Sequence, residues 1–480
     1  MEERILKTDV LVIGGAGAGL RSAIEARSNG VDVMLASKMP AGGVSCTQVI
    51  AGWITGATPE NEDQLFKQMV YTGGYINNQR LTETFVKEAI HIIPGLRDFG
   101  VPLEWQSGET PDLPGYYISP KIGNNPKGHS LLQPMREKAE SMGVKMLDNV
   151  VISRLITSDD AIVGAIGVNL ESRQLMIISA KSIVIATGGG AYAFERSDNP
   201  PGSTGDGCSL AYGAGAELVD MEFISLNVPR NLIPEIFEVK GEPPDSIIGH
   251  GTAHYFLGGI KIDEEGKTSV KGLFAGGEVA GGILGAARLG GSAVADAIVF
   301  GAIAGHSAGQ WAKSADMPDL NMEQVQQERE KFRLITEENK VPAKEALAKL
   351  KSILWRYIGP VKSNYTLNMA LDILSNMKPL SICANDSDEL LAGIEASHIL
   401  ELGKIIATAS LIRQETRGNF WRADYPQPDN SKWIKNIVLW KDNENVATRI
   451  DDAVMTRLKS PVEPPIGTGC FWYSPRIEIY

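Results

Sequence analysis

The feature that most restricts the fold is a glycine-rich turn near the start of the chain. An apolar run over 8–13 predicts a buried strand, and Gly14-Gly15-Ala16-Gly17-Ala18-Gly19 follows it directly. A helical stretch (20–26) and a second apolar strand (31–35) come next, which predicts a β-α-β unit. The spacing is G-x-A-x-x-G, with Ala16 in the place of the usual second glycine. Such a turn lets a pyrophosphate reach the helix N-terminus, although a purely structural turn can share the pattern.

The second predicted strand is followed by Ser37 and Lys38. In dinucleotide-binding folds an acidic side chain usually stands here and binds a ribose hydroxyl. A serine hydroxyl can also donate and accept a hydrogen bond, so Ser37 is a candidate ribose contact. Spacing alone leaves a plain turn as an equal alternative.

Two more glycine-rich turns occur much later in the chain. The first ends a predicted strand with Ala186-Thr187-Gly188, after a predicted hairpin over 162–178. The second runs from Gly272 to Glu278, which places Glu278 at the ribityl hydroxyls of a flavin. A small-residue helix over 290–305 would direct its N–H groups at the flavin pyrimidine, which gains negative charge on reduction. Three such turns in this order predict FAD rather than NAD.

Length and composition limit the class of protein. The chain has 480 residues, more than the roughly 250–300 that one core usually supports, so we expect several domains. The formal net charge of −12 argues against a nucleic-acid partner, because phosphate binding needs a basic surface. No apolar run reaches about 18 residues without a break or a charge, so direct membrane insertion is not expected.

The four cysteines, Cys46, Cys208, Cys383 and Cys470, are far apart. No C-x-x-C pair occurs, so we predict neither an iron–sulfur cluster nor another metal site in this chain. Free thiols favour a reducing cytoplasmic location. Association with a membrane through a partner protein is a further option.

The sequence also suggests how the chain is divided. We predict an FAD-binding domain over 1–225 and 253–315, interrupted at 226–252 by an insert with four prolines. Charged helical segments predict a helical domain over 320–422. The remainder, 423–480, is rich in Pro, Trp and Asn and predicts an extended tail. Within the first domain, a stretch rich in Pro and Gly predicts a loop over 103–128.

With these motifs in place, the chain resembles the flavoprotein family of succinate dehydrogenase, fumarate reductase and L-aspartate oxidase. The resemblance covers 8–225 and 252–310 and, more weakly, 320–435. It rests on motifs that occur in the family's order: Ser37-Lys38, Ser45-Cys46-Thr47, Gly128-His129-x-Leu131-Leu132, Thr204-Gly205-Asp206-Gly207, His254-Tyr255-x-x-Gly258-Gly259-Ile260, Arg288-Leu289-Gly290-Gly291 and Glu415-Thr416-Arg417-Gly418.

The resemblance implies an α/β fold with a Rossmann-like FAD-binding domain of the glutathione-reductase type, a truncated capping insert at 226–252 and a C-terminal helical domain. It implies hydride transfer between flavin N5 and a small-molecule substrate bearing a carboxylate or acyl group. His254 and Arg288 match the residues that bind the substrate carboxylate. The predicted cofactor contacts are Gly14, Ala16, Gly17, Ala18, Gly19, Ser37, Lys38, Ser45, Cys46, Thr47, Gly52, Val151, Ala186, Thr187, Gly188, Asp206, Glu278, Arg288, Ser292, Ala293 and Val294.

Three departures from the family pattern bear on the chemistry. Cys46 stands where membrane-complex members carry the flavin-linking histidine, so we expect noncovalent FAD, although cysteinyl–flavin bonds exist. Asp220-Met221-Glu222 is retained, but Asn227-Val228-Pro229-Arg230 replaces the histidine and threonine that follow it in the family. Only 223–253 stands in place of the large capping domain with the proton-donating arginine. Arg230 is the single arginine there and hence a candidate proton donor, with a plain surface charge as the alternative.

Two functional hypotheses remain open. The chain is either an enzyme acting on a C–C bond beside a carboxylate or acyl group, or an electron-transfer subunit with an iron–sulfur partner. An activity like that of adenylylsulfate reductase is a related option. The short insert implies that a partner subunit, the tail 431–480 with Trp472 and Tyr473, or a bulky substrate covers the flavin.

Overall fold

The structure is a computed structural model that describes residues 2–50, 52–106, 115–118, 127–333, 342–377, 386–443 and 445–461. Cys383, Cys470, Trp472 and Tyr473 lie outside the described residues. No helix in the described ranges is both long enough and apolar enough to cross a membrane.

The strands, in chain order, are β1 (Glu3–Ile13), β2 (Val33–Ser37), β3 (Trp53–Thr55), β4 (Leu103–Gln106), β5 (Gly115–Ile118), β6 (Lys145–Asp148), β7 (Val150–Ser158), β8 (Ala161–Asn169), β9 (Leu175–Ile185), β10 (Leu218–Val219), β11 (Ile224–Asn227), β12 (Thr252–Phe256), β13 (Gly259–Lys261), β14 (Leu273–Ala275), β15 (Ala280–Gly281), β16 (Lys435–Asp442) and β17 (Asn445–Asp452).

The α-helices are α1 (Gly17–Ser28), α2 (Glu62–Thr72), α3 (Gln79–Ile92), α4 (His129–Ser141), α5 (Asp206–Gly213), α6 (Ile233–Glu238), α7 (Asp245–Ile248), α8 (Ser292–Ser314), α9 (Met322–Arg333), α10 (Ala343–Ile358), α11 (Asn364–Ser375), α12 (Ser387–Ile412) and α13 (Asn430–Trp433). Short 3-10 helices span Pro94–Phe99, Ala191–Ala193 and Arg230–Leu232.

The central sheet has the strand order β6-β2-β1-β9-β8-β7, and β14 pairs with the second half of β9. The strands β6, β2, β1, β9 and β14 are parallel to one another, whereas β7 and β8 run antiparallel to their neighbours. The apolar runs of β1, β2 and β9 are buried on both faces, as a covered parallel sheet requires. The β-α-β opening and the hairpin over 162–178 are therefore confirmed.

Helices α1 and α8 pack at unusually close range on this sheet. A Cβ atom at Gly301 would lie 2.8 Å from the carbonyl oxygen of Ala18, and one at Gly305 would lie 2.2 Å from that of Ser22. The Ser22 hydroxyl donates to the Gly301 carbonyl at 2.7 Å. The predicted small-residue helix is confirmed, and its glycines explain how the two helices approach so closely.

Two stretches differ from the expectation of irregular structure. The stretch 103–128 contains β4 and β5, because Trp105 and the tyrosines around Tyr116 favour strands. Strand β5 pairs with β4 on one side and with β3 on the other. The stretch 430–452, expected within an extended tail, forms α13 and the β16–β17 hairpin. The apolar run in β16 pairs with β10 and joins the sheet β15-β13-β10-β16-β17. Its strand signal was masked by the polar and proline-rich residues on either side.

The insert between β11 and β12 is compact and fixed in place. It contains a 3-10 turn, α6 and α7, and the two strands that border it pair with each other. The indole N–H of Trp355 in α10 donates to the Ile248 carbonyl at 2.7 Å, and Arg356 contacts Glu242 at 2.5 Å. These contacts hold the insert against the helical C-terminal region, which α9 to α12 form as expected.

A buried ionic cluster joins that helical region to the first domain. Nε of Arg413 donates to Glu222 at 2.6 Å, and Nη1 donates to Glu415 at 3.0 Å; all three side chains are buried. Glu415 also accepts from Arg417 at 2.7 Å. The matched motifs at 220–222 and 415–418 therefore meet in one structural cluster. Burial and the neighbouring carboxylate of Glu222 raise the pKa of Asp220, beside them, to about 8.

We predict that Arg413→Met destabilises the protein strongly, because it leaves Glu222 and Glu415 buried with one cation fewer. Breaking a buried ion pair in this way costs about 3–5 kcal/mol. Arg356→Met is the control, since exposed pairs such as Arg356–Glu242 contribute about 0–1 kcal/mol. Thermal unfolding of the FAD-loaded protein followed by circular dichroism measures both; equal shifts in the two midpoints would contradict the prediction.

Candidate functional site

A cavity of about 580 Å³ opens along the carboxyl ends of β1, β2 and β9. Residues from three distant parts of the chain line it, as the three glycine-rich turns predict. The predicted site residues that line the cavity are Gly14, Ala16, Ala18, Ser37, Lys38, Ser45, Cys46, Thr47, Val151, Ala186, Thr187, Gly188, Asp206, His254, Glu278, Arg288, Ala293 and Val294. Gly17, Gly19, Gly52, Ser292 and Arg230 are not among its lining residues.

The first turn is built by close backbone contacts. Gly14 has φ +118°, and a Cβ atom on it would lie 2.2 Å from the carbonyl oxygen of Ala186 in the second turn. A Cβ atom on Gly19 would lie 1.8 Å from the carbonyl oxygen of Gly14. Ala16 is extended and provides no side-chain cap for α1. The backbone N–H groups at the N-terminus of α1 are therefore available to bind an anionic group. The alanine at position 16 fits the turn.

The residues after β2 belong to a buried ionic network. Nζ of Lys38 lies 2.5 Å from Asp206, 2.9 Å from Glu395 and 2.7 Å from the hydroxyl of Thr204. Burial alone would lower the pKa of Lys38, but the two carboxylates raise it. The pKa of Asp206 is lowered against the effect of burial by Lys38 and by His398. Lys38 therefore contributes to the cavity wall as the shared cation of two ion pairs.

The cavity wall contains polar groups that have no partner within the described part of the chain, among them the buried Thr187 hydroxyl and Nε of Arg288. Buried polar groups in folded proteins nearly always have a hydrogen-bond partner. A bound dinucleotide would supply acceptors or donors to such groups, so the residues present fit FAD.

The flavin end of the predicted site begins at α8. This helix starts at Ser292, and Gly291 before it has φ +75°, where a Cβ atom would lie 2.4 Å from the Trp53 ring. The helix start therefore agrees with the sequence prediction. Glu278 accepts the backbone N–H of Phe256 at 3.0 Å, and burial raises the pKa of Glu278 to about 7.

His254 and Arg288 meet in the cavity wall, together with a residue that the sequence did not reveal. Nη2 of Arg288 lies 2.9 Å from Nε2 of His254, and Nδ1 of His254 lies 3.0 Å from the carboxylate of Asp198. The guanidinium also stacks on the Tyr255 ring, 4.4 Å from its centroid. Asp198 belongs to the polar segment between two matched motifs, where nothing in the local pattern distinguishes it. Only the fold brings it to His254.

Cys46 is an uncharged thiol in this environment. Its Sγ atom lies 3.1 Å from the amide oxygen of Asn199 and 3.2 Å from the hydroxyl of Ser203. Burial, with the nearby carboxylates of Glu278 and Asp198, raises the pKa of Cys46 to about 12. Because the thiolate is the nucleophile, this position is poorly suited to forming a bond to the flavin.

Neither the insert nor the described part of the tail contributes to the cavity wall. No residue of 223–253 lines the cavity, and neither does any residue of 431–461. Arg230 lies in the 3-10 turn of the insert, outside the cavity wall. The described part of the tail is instead held in the sheet with β10.

Comparisons with known proteins agree with this geometry. A family model described as FAD binding domain matches residues 9–241 and 233–294, and one described as fumarate reductase flavoprotein C-term matches residues 347–465. The chain is 26% identical to a protein of Methanothermobacter marburgensis that is named as part of a fumarate reductase (CoM/CoB), over 92% of this chain and 98% of that protein.

Two solved structures illustrate the fold. Sdh1 of Mycobacterium smegmatis has a TM-score of 0.84 at 22% identity, covering 94% of this chain and 95% of that one. Adenylylsulfate reductase of Archaeoglobus fulgidus has a TM-score of 0.74 at 16% identity, covering 95% and 98%. The predicted α/β FAD-binding fold and FAD as the cofactor are confirmed.

We predict that Gly19→Ala abolishes most FAD binding, because the new methyl group would overlap the Gly14 carbonyl and push α1 away from the turn. Gly213→Ala is the matched control, since a Cβ atom there has no neighbour within 4 Å. Flavin absorbance per mole of purified protein measures the effect. A yellow Gly19→Ala protein with wild-type flavin content would contradict the prediction.

We also predict that FAD is bound noncovalently. Acid precipitation should release the flavin into the supernatant from the wild type and from Cys46→Ser alike, because the Cys46 thiol remains protonated at neutral pH. Flavin that stays with the wild-type pellet, but not with the Cys46→Ser pellet, would show a cysteinyl bond instead.

Proposed function

The chain belongs to the FAD-binding domain family and is homologous to the flavoprotein subunits of fumarate reductase and succinate dehydrogenase; we propose that it reduces or oxidises a C–C bond beside a carboxylate or acyl group. It is an FAD-dependent oxidoreductase. When bound, FAD supplies a two-electron hydride carrier. The chain's own residues must then hold the cofactor, orient the substrate and handle one proton.

The proposed cofactor contacts are the cavity-lining residues. The turn at 14–19 and the N-terminus of α1 suit the pyrophosphate, and Ser37 suits a ribose. The unpartnered hydroxyl of Thr187 and the carboxyl of Glu278 are available to hydroxyl groups of the cofactor. The start of α8, near Ala293, suits the flavin pyrimidine.

One observation favours a carboxylate substrate. Arg288 lines the cavity with a guanidinium whose Nε has no partner among the described residues, and whose Nη2 contacts the Nε2 atom of His254. A guanidinium binds a carboxylate through two parallel hydrogen bonds, and a histidine beside it can add another. Stacking on Tyr255 limits the orientations of Arg288, which favours one bound geometry.

The open cavity supports the second candidate function. Since no residue of 223–253 lines the cavity, a partner protein or a large substrate has direct access to the flavin end. An electron-transfer role would use an iron–sulfur partner subunit, because within the described residues no cluster of His, Cys, Asp or Glu could hold a metal.

The similarity to adenylylsulfate reductase makes that chemistry a related candidate. A cytoplasmic location, with membrane association through a partner, accompanies either proposal.

We predict that Arg288→Ala lowers kcat/KM for fumarate by about 10- to 150-fold, since a charged hydrogen bond contributes about 1.5–3 kcal/mol. The assay follows reoxidation of the chemically reduced flavoprotein by fumarate, and bleaching of the oxidised protein by succinate. Arg356→Ala, outside the cavity, is the control. If Arg288→Ala and His254→Ala both keep wild-type kinetics, the electron-transfer role is favoured over the enzymatic one.

A further inference from the structure

We propose that His254 is the acid that protonates the substrate, and that Asp198 is the residue that positions His254 for this task. The inference rests on the proposed function, a reaction at a C–C bond beside a carboxylate. A proton donor is needed in that reaction, and the insert over 223–253 brings no side chain to the cavity. The histidine–carboxylate pair stands in the cavity wall beside the carboxylate-binding guanidinium.

The contacts of the His254 ring determine which of its nitrogens carries the proton. Arg288 has only donors, so its 2.9 Å contact with Nε2 requires Nε2 to accept. In the neutral ring Nδ1 is then the protonated nitrogen, and it donates to the Asp198 oxygens at 3.0 and 3.1 Å. These contacts therefore fit the Nδ1–H tautomer, with the Nε2 lone pair directed at Arg288.

The Asp198 carboxylate is held by the strands that border the insert. It accepts from the amide of Asn227 in β11 at 2.7 Å and from the hydroxyl of Thr252 in β12 at 3.3 Å. Burial by itself would raise the pKa of Asp198. The interactions with His254 and with neighbouring amides have the larger effect, so the pKa of Asp198 is lowered. A carboxylate that is ionised and fixed in direction can support a positive charge on the imidazole.

A bound carboxylate would change the charge balance at Nε2. The Arg288 guanidinium, 2.9 Å from Nε2, opposes a second positive charge on the ring. A substrate carboxylate would neutralise the guanidinium and take up its N–H donors, which frees Nε2 of His254 to accept a proton. The His254 side chain is 38% exposed, so solvent can supply that proton directly. Substrate binding and charging of His254 are thus coupled.

The other titratable groups near His254 are less suitable acids. The pKa of Cys46 is about 12, and burial raises the pKa of Tyr255 well above its usual range. Glu278 is the main rival, because burial raises its pKa to about 7, but it already accepts the Phe256 N–H.

The proposed step conserves atoms and electrons. In the reducing direction, one carbon of the C=C bond would gain a hydride, which carries both electrons, from the bound cofactor, and its neighbour would gain the proton from Nε2 of His254. The π bond breaks, two C–H bonds form, and the imidazole returns to its neutral Nδ1–H form. Reduced viologen in the assay then restores the two electrons to the flavin. In the oxidising direction, Nε2 is the base.

The first test does not depend on turnover. The FAD-loaded protein is labelled with ¹⁵N in its six histidines, and the His254 signals are assigned by their loss in His254→Gln. We expect a neutral Nδ1–H ring in the wild type and protonation of Nε2 when malonate is added. Asp198→Asn should keep the Nδ1–H tautomer, because Arg288 still requires Nε2 to accept, but it should weaken the protonation. Asp245→Asn, at an exposed carboxylate in α7, is the matched control.

The second test uses fumarate reduction by reduced viologen across pH. We expect His254→Gln to lower kcat by about 10²–10⁴-fold with a smaller change in KM, because the amide can still donate to a carboxylate. Asp198→Asn should lower kcat by about 10²-fold and move the alkaline limb of the pH profile to lower pH, because the imidazolium loses its counter-charge. Glu278→Gln should leave that limb in place.

The outcomes separate the inference from the proposed function. A wild-type Nε2–H tautomer, malonate binding without ring protonation, or loss of the alkaline limb in Glu278→Gln would overturn the inference while the carboxylate chemistry stands. Failure of the wild type both to bind malonate and to reduce fumarate would count against the proposed function. A ¹⁵N titration of the His254 ring in the wild type and in Asp198→Asn would then still decide whether Asp198 supports a positive charge on His254.

Discussion

The close packing of α1 on α8 is the constraint on which the cofactor cavity depends. Gly301 and Gly305 allow the backbone of α8 to lie against that of α1, and a Cβ atom at either glycine would overlap a carbonyl oxygen. Each helix begins at the cavity, so this contact aims two helix N-termini at one ligand. The first and third glycine-rich turns, far apart in the chain, meet only because these helices do.

The walls of the cavity are tied to the helical C-terminal region by buried charges. Lys38 at the end of β2 pairs with Glu395 in α12, and Arg413 after α12 pairs with Glu222 beside β11. Removing one partner from such a pair leaves an uncompensated charge in the interior, which makes these contacts sensitive to substitution. The cofactor cavity and the packing of the helical region are therefore parts of one structure.

The insert packs on the helical region and contributes nothing to the cavity wall. Trp355 and Arg356 hold it against α10. The side chains of His254 and Asp198, which do line the cavity, are both partly exposed.

The sequence by itself determined the local features: the β-α-β opening, the glycine turns at 14–19 and 186–188, the small-residue α8, and the resemblance that led to FAD. These depend on residue type and short-range spacing, which a linear pattern preserves. It missed β16, whose apolar run is flanked by polar residues, and it left two interpretations of Arg230 open, a proton donor or a surface charge; Arg230 is not among the residues that line the cavity. Only the tertiary structure brought Asp198 to His254 and Lys38 to Glu395, because such partners are chosen by how the elements pack and carry no signal in the sequence around them.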